Sequence, residues 1–160
     1  MIQGKLVAGV AAFMSLLPSS GGGYARPAMV TQTTVAVREC GATNVTIEAA
    51  DVPETKQFDY FTSVQTNDGR IEKILCGDGR TWGAVHIEVK HKVAHWDITA
   101  ECLRNTMSMG ESKSEDGKRT WLFQWSSGHN ALLVADFHGV STTYPWDDGS
   151  EESWEECASQ

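Results

Sequence analysis

Positive charge is what this chain has least of: 13 lysines and arginines stand against 21 aspartates and glutamates, a formal net charge of −8. Such a chain is repelled by nucleic acid at long range and cannot hold it by bulk electrostatics, so any polyanion site must be local. Long apolar runs are missing too. Residues 6–17 form a run of about a dozen, whereas a helix that crosses a bilayer needs roughly 20. No Cys-x-x-Cys pair occurs among the four cysteines, which argues against a zinc knuckle or a dithiol redox motif. No internal repeat is visible, which excludes a solenoid.

What is present suits one folded domain. Apolar residues make up 41% of the 160 positions, and six tryptophans supply bulk for a core. The N-terminus reads differently: Lys5 precedes the apolar run, and Gly23 and Ala25 put small residues at −3 and −1 of a cut after Ala25. This is the pattern of a secretory signal peptide over 1–25, leaving 26–160 as the exported, extracellular part. A loose N-terminal helix on a cytoplasmic domain is the alternative.

Export makes sense of Cys40, Cys76, Cys102 and Cys157, an even number spread widely along the chain and suited to disulfides. Three pairings are open. Cys40 with Cys76 and Cys102 with Cys157 is the one we favour. Without Lys5, twelve basic and 21 acidic residues leave −9. Six of the acids lie in the tail at 147–160, so 26–146 carries only −3, and a local basic site on an acidic body is feasible.

Residues 26–39 read as an extended lead-in and 44–48 as a strand. Residues 58–66 form a second strand that turns at Asn67-Asp68-Gly69 into a third at 70–76. The part up to 69 is thus a β-rich extension resembling a meander. Residues 84–96 fit both periods, and helix is preferred. In that helix His86 and Lys90 would share one face and His91 and His95 another. Asp97 is expected to cap a second helix over 98–107 with Gly110 as its stop. The charged stretch 111–117 reads as a loop, and 119–125, 131–137 and 140–144 as antiparallel strands. Trp121 and Trp125 belong to the core, and His129 and His138 to turns. The fold class is therefore α+β: a helical segment packed on an antiparallel sheet, braced by disulfides.

Two motifs carry chemistry. Residues 76–91, Cys-Gly-Asp-Gly-Arg-Thr-Trp-Gly-Ala-Val-His-Ile-Glu-Val-Lys-His, place His86, Lys90 and His91 behind a glycine turn, and Ser141-Thr142-Thr143-Tyr144-Pro145 follows some fifty residues later. Imidazoles titrate near neutrality, lysine supplies fixed positive charge and a hydroxyl can position an anion. The set suits proton transfer at a phosphate without a metal.

Cys-Gly, Trp-Gly, His-Ile and Lys-His, then a helix, three strands and Thr-x-Tyr-Pro, resemble the barnase/EndoU/colicin/RelE-like ribonuclease domains over residues 70–146. These are best known as toxins in bacterial competition. The resemblance implies metal-independent cleavage in which the RNA 2′-hydroxyl attacks the adjacent phosphorus and leaves a 2′,3′-cyclic phosphate. It assigns His86 and His91 to proton transfer, Lys90 to charge on the phosphorane, and Thr142 and Tyr144 to the final motif. Lys92 and Arg119 are candidates for holding substrate. No cofactor is implied, and the expected partners are RNA, tRNA among the candidates, and an immunity or inhibitor protein. The protein is expected to be a monomer without a membrane partner.

Two rival readings stand beside this one. His91 and His95, at i and i+4, have the spacing of a helical zinc pair, but Lys92 stands where a zinc protease carries its glutamate base. The other rival is a secreted, disulfide-braced binding or inhibitor module with no catalysis. The Asn44-Val45-Thr46 sequon matters only in a glycosylating host.

Overall fold

Helix prevails over strand in the segment around His86, and the reason is a loop closed just before it. The computed structural model describes residues 35–66, 68–125, 128–145 and 151–160, within the unit Gln32–Gln160. The expected signal peptide, the lead-in as far as residue 34, Asn67 of the expected hairpin turn and the start of the acidic tail lie outside the described residues.

In chain order the elements are α1 (Val35–Glu39), β1 (Tyr60–Gln65), β2 (Ile71–Leu75), α2 (Gly83–Lys90), α3 (Trp96–Met109), β3 (Glu111–Glu115), β4 (Lys118–Gln124), β5 (Asn130–Asp136), β6 (Gly139–Pro145) and α4 (Glu151–Ala158). Strands β1 and β2 pair antiparallel, and β3-β4-β5-β6 form an antiparallel sheet in that order. The expected α+β class is therefore observed. Strand alternation sends Trp121 and Phe123 of β4 and Ala131, Leu133 and Ala135 of β5 into the core, and in β6 a register shift opposite Val134 and Ala135 lets both Val140 and Thr143 face inward. Helix α3 covers β4 and β5 with Cys102, Leu103, Thr106 and Met107 buried, while α2 runs against β6, the edge strand.

Cys40 bonds to Cys76 and Cys102 to Cys157, the favoured pairing. The first bridge joins α1 to the end of β2, and the second fastens α4 to α3. Each closes a loop of 36 or 55 residues, worth about 3–4 kcal/mol in the loop-entropy picture.

Several expectations fail for identifiable reasons. Residues 44–48 make a turn and not a strand: the Thr46 hydroxyl accepts from the Glu48 and Ala49 amides, and Asn44 has φ 50°. Alternation alone could not reveal that no neighbouring strand among the described residues pairs with it. The lead-in ends in the short helix α1, so the N-terminal region is no meander among the described residues. Conversely, 111–115 is a strand, wholly exposed and joined to β4 through Asp116 and Gly117, whose φ values of 46° and 75° match a tight hairpin turn. An edge strand carrying only charged and hydroxyl side chains gives no hydrophobic signal. Helix α3 begins at Trp96, so Asp97 lies in its first turn and favours the helix dipole without capping it. The tail, held by Cys157, is helical over α4.

Glu88 joins three of these pieces. Its carboxylate, 3% exposed, accepts from the amides of Ala36 at 3.0 Å and Val37 at 2.8 Å and from the Trp96 indole at 2.9 Å. Glu88→Ala strands two buried amides and the half-buried Trp96 indole, at about 1–3 kcal/mol each. We expect a loss of at least about 3 kcal/mol in urea unfolding, with Glu88→Gln intermediate. A loss below 1 kcal/mol would contradict this account.

Candidate active site

The glycines of the Cys-Gly and Trp-Gly pairs are needed by contact. Gly77 and Gly83 both have positive φ, 74° and 88°. A Cβ on Gly83 would stand 2.4 Å from the Gly77 Cα, and one on Gly77 would stand 1.9 Å from the Trp82 carbonyl oxygen. The loop between them thus closes on itself. Asp78 fills it, accepting from the amides of Arg80, Thr81 and Trp82 and from the Thr81 hydroxyl. Burial opposes the charge on Asp78, but these donors outweigh it and hold the carboxyl below its usual range. Helix α2 starts directly from this loop, its Val85 amide bonded to the Cys76 carbonyl at 3.2 Å.

One turn into α2 stands His86, and His91 caps the helix C-terminus. Their rings meet edge to face with centroids 5.3 Å apart. Strand β6 supplies the opposite wall, where Thr142 and Tyr144 point away from the face that buries Thr143. The His91 Nε2 and the Thr142 hydroxyl share a 3.0 Å hydrogen bond, and the Tyr144 ring stacks on His91 at 4.7 Å. The Trp154 indole of α4 donates to the His91 carbonyl at 2.9 Å. His91 is therefore held through both its ring and its backbone.

Electrostatics separates the two imidazoles. Burial, then His86 and Lys90, lower the pKa of His91 to about 4. His86 is lowered by burial and by Lys90, against the Arg80 carbonyl and the Asp78 carboxylate, which favour its charged form. Among the described residues its buried Nδ1 has no hydrogen-bond partner. At neutral pH His91 is thus an unprotonated base, and His86 is the more readily protonated of the two.

Of the residues singled out by sequence, His86, His91, Thr142 and Tyr144 converge. Lys90 is exposed on the last turn of α2, close enough to depress both imidazoles. Lys92 is exposed just past the helix and takes φ 53°, the left-handed position that ends α2 while the Val93 amide bonds back to the Glu88 carbonyl. Arg119 lies elsewhere: its guanidinium grips Glu72 through both terminal nitrogens and sits 5.5 Å from the centre of the Trp121 ring.

The same helix end removes the geometry of the zinc pair. With α2 finished at Lys90 and α3 begun at Trp96, His91 and His95 do not share a helical face. Among the described residues no group of three or more His, Cys, Asp or Glu side chains is placed to hold a metal. Sequence reading missed Asp78 and Trp154 as supports. The Gly-Asp-Gly turn was a usable signal for Asp78, since Asp side chains bond amides two residues on; Trp154 carried none.

Because the folded pKa of His91 lies below the unfolded 6.5, the unfolded chain binds more protons between these values. The stability this group contributes is complete above 6.5 and is lost as pH falls toward 4. Urea titrations should show a decline on the order of 2–3 kcal/mol across that window, and His91→Asn should flatten it. An unchanged slope in His91→Asn would refute a depressed His91.

No family model, curated protein or solved structure matches this chain, so the chemistry of the site rests on its geometry.

Proposed function

We propose that the protein is a metal-independent endoribonuclease of the exported, toxin-like kind. The observation that carries this reading is the meeting of His86, His91, Thr142 and Tyr144 where α2 crosses the edge strand β6, beside the exposed Lys90. Two imidazoles of unequal basicity, a hydroxyl and a fixed cation are the parts that phosphodiester cleavage by an internal hydroxyl needs.

In this mechanism neutral His91 takes the proton of the RNA 2′-hydroxyl as the 2′-oxygen forms its bond to phosphorus. The phosphorane charge is met by Lys90, and the Thr142 hydroxyl fixes a phosphate oxygen. Protonated His86 gives its proton to the 5′-oxygen as the bond from phosphorus to that oxygen breaks. A 2′,3′-cyclic phosphate and a free 5′-hydroxyl result, with one proton moved from the 2′-oxygen to His91 and one from His86 to the leaving group. Tyr144, stacked on His91, holds the base in place.

Export fits the two disulfides, and no described helix is long and apolar enough to cross a membrane. The acidic body repels RNA in general, which limits productive binding to the end of α2, where Lys90 and Lys92 are exposed. A single-chain toxin of this kind pairs with an inhibitor protein that covers the site.

The test is incubation of the oxidised protein with RNA in EDTA, with the product ends read by phosphorus NMR. Cleavage with a cyclic phosphate is expected, and dependence on a metal would overturn the mechanism. The free-enzyme rate kcat/KM should rise as pH climbs past about 4, where His91 loses its proton and becomes a base, and fall again before the usual histidine range is reached, because burial lowers His86 and the acid is then lost. His86→Ala and His91→Ala should each cost about 10²–10⁴-fold and Lys90→Ala about 10²-fold. His95→Ala and His129→Ala should match the parent.

A further inference from the structure

Four aromatic rings gather at the surface beside this site without serving the core. Trp82 and His138 stack with centroids 4.9 Å apart and planes 18° from parallel. Phe58 leans on both, at 5.6 and 5.3 Å, and Phe137 lies 3.7 Å from His138. Phe137 is 87% exposed and Phe58 62%. Trp82 and His138 are half-buried, and burial does not explain the two phenylalanines.

The four rings come from three segments. Trp82 ends the loop that Asp78 holds shut. Phe137 and His138 form the two-residue turn between β5 and β6, where small and polar residues are the usual occupants and a phenylalanine gives the turn nothing. Asp136 steadies that turn, accepting from the His138 amide at 2.8 Å and lying 3.4 Å from its Nδ1. Gly139 lets it settle on β2: a Cβ there would stand 2.2 Å from the Lys73 carbonyl oxygen.

The cluster shares its supports with the imidazoles. Trp82 precedes His86 by four residues at the start of α2, a rise of about 6 Å. His138 leads directly into β6, the strand that bears Thr142. One end of the seam is thus aromatic, with the Asp136 carboxylate beside His138, and the other carries Lys90 about 12 Å further along α2, so a base and a neighbouring phosphate of one strand can be met together.

We propose that Phe58, Trp82, Phe137 and His138 form a base-stacking subsite that grips an unpaired nucleobase flanking the scissile phosphate, so that the substrate is single-stranded or looped RNA and not duplex. Stacking on aromatic rings is available only to bases out of the helix and tolerates any base. It supplies affinity that an acidic protein cannot draw from bulk charge. The proposal rests on the ribonuclease reading for its neighbour, the scissile phosphate, but its own test does not need cleavage.

The experiment measures fluorescence anisotropy of a labelled single-stranded 2′-O-methyl RNA, which has no free 2′-hydroxyl to react, against the oxidised protein. A blunt duplex of the same sequence serves as competitor. The parent should prefer the single strand. Phe137→Ala and Phe58→Ala should each weaken binding about tenfold, and Phe137→Trp should restore it. Because both residues are exposed, folding is not at stake. Parental affinity in both alanine variants, a preference for duplex, or no binding by the parent would overturn the subsite, as would sedimentation in which Phe137→Ala only dissolves a self-associated form. Binding that depends on Phe137 in a protein that cleaves no RNA would sink the nuclease mechanism and leave the subsite standing. Cleavage that ignores Phe137 and Phe58 would do the reverse.

Discussion

A carboxylate buried among three donors organises this molecule. Glu88 sits on α2 but takes its partners from α1 and from the start of α3, so helices separated in sequence must reach it together. A buried charge is tolerated only when fully hydrogen-bonded, and removing its partners or the charge itself is costly. Because Glu88 lies between His86 and His91 on the same short helix, whatever holds Glu88 also sets the angle at which both imidazoles leave the helix.

The site then follows from where a short helix stops. Lys92 accepts a left-handed backbone, a conformation that costs a side-chain-bearing residue about 1 kcal/mol or more. In return the chain turns at His91 and brings its ring onto Thr142 and Tyr144. Burial and the neighbouring positive groups keep that ring neutral. The position of Lys90 serves both effects, as an exposed cation and as a field that lowers the basicity of the groups behind it.

Much of this was legible in the sequence. The glycine spacing, the imidazoles one turn apart and more, the three short-turned strands and the presence of disulfides all depend on local rules or on simple parity, whereas which of three cysteine pairings forms does not, and the helical segment and the sheet appear where those rules put them. What was hidden depended on partners far along the chain. Residues 44–48 alternate like a strand but pair with none of the described strands, while 111–115 pairs without any apolar alternation. Glu88 reads as an ordinary surface acid of a helix until α1 and Trp96 close on it, and Trp154 gives no sign that its indole will reach His91. Arg119 looked like a free cation because Glu72, its partner, lies 47 residues away.

The order of the two disulfides along the chain carries a consequence for how the protein is made. Cys40 closes on Cys76 and Cys102 on Cys157, so the loops follow one another without overlapping or nesting. For a chain delivered N-terminus first, each cysteine meets its correct partner before a wrong one has emerged in that interval. The first bridge can be sealed while Cys102 and Cys157 are still behind. Correct pairing is thus the default of sequential oxidation and calls for no later shuffling of bonds.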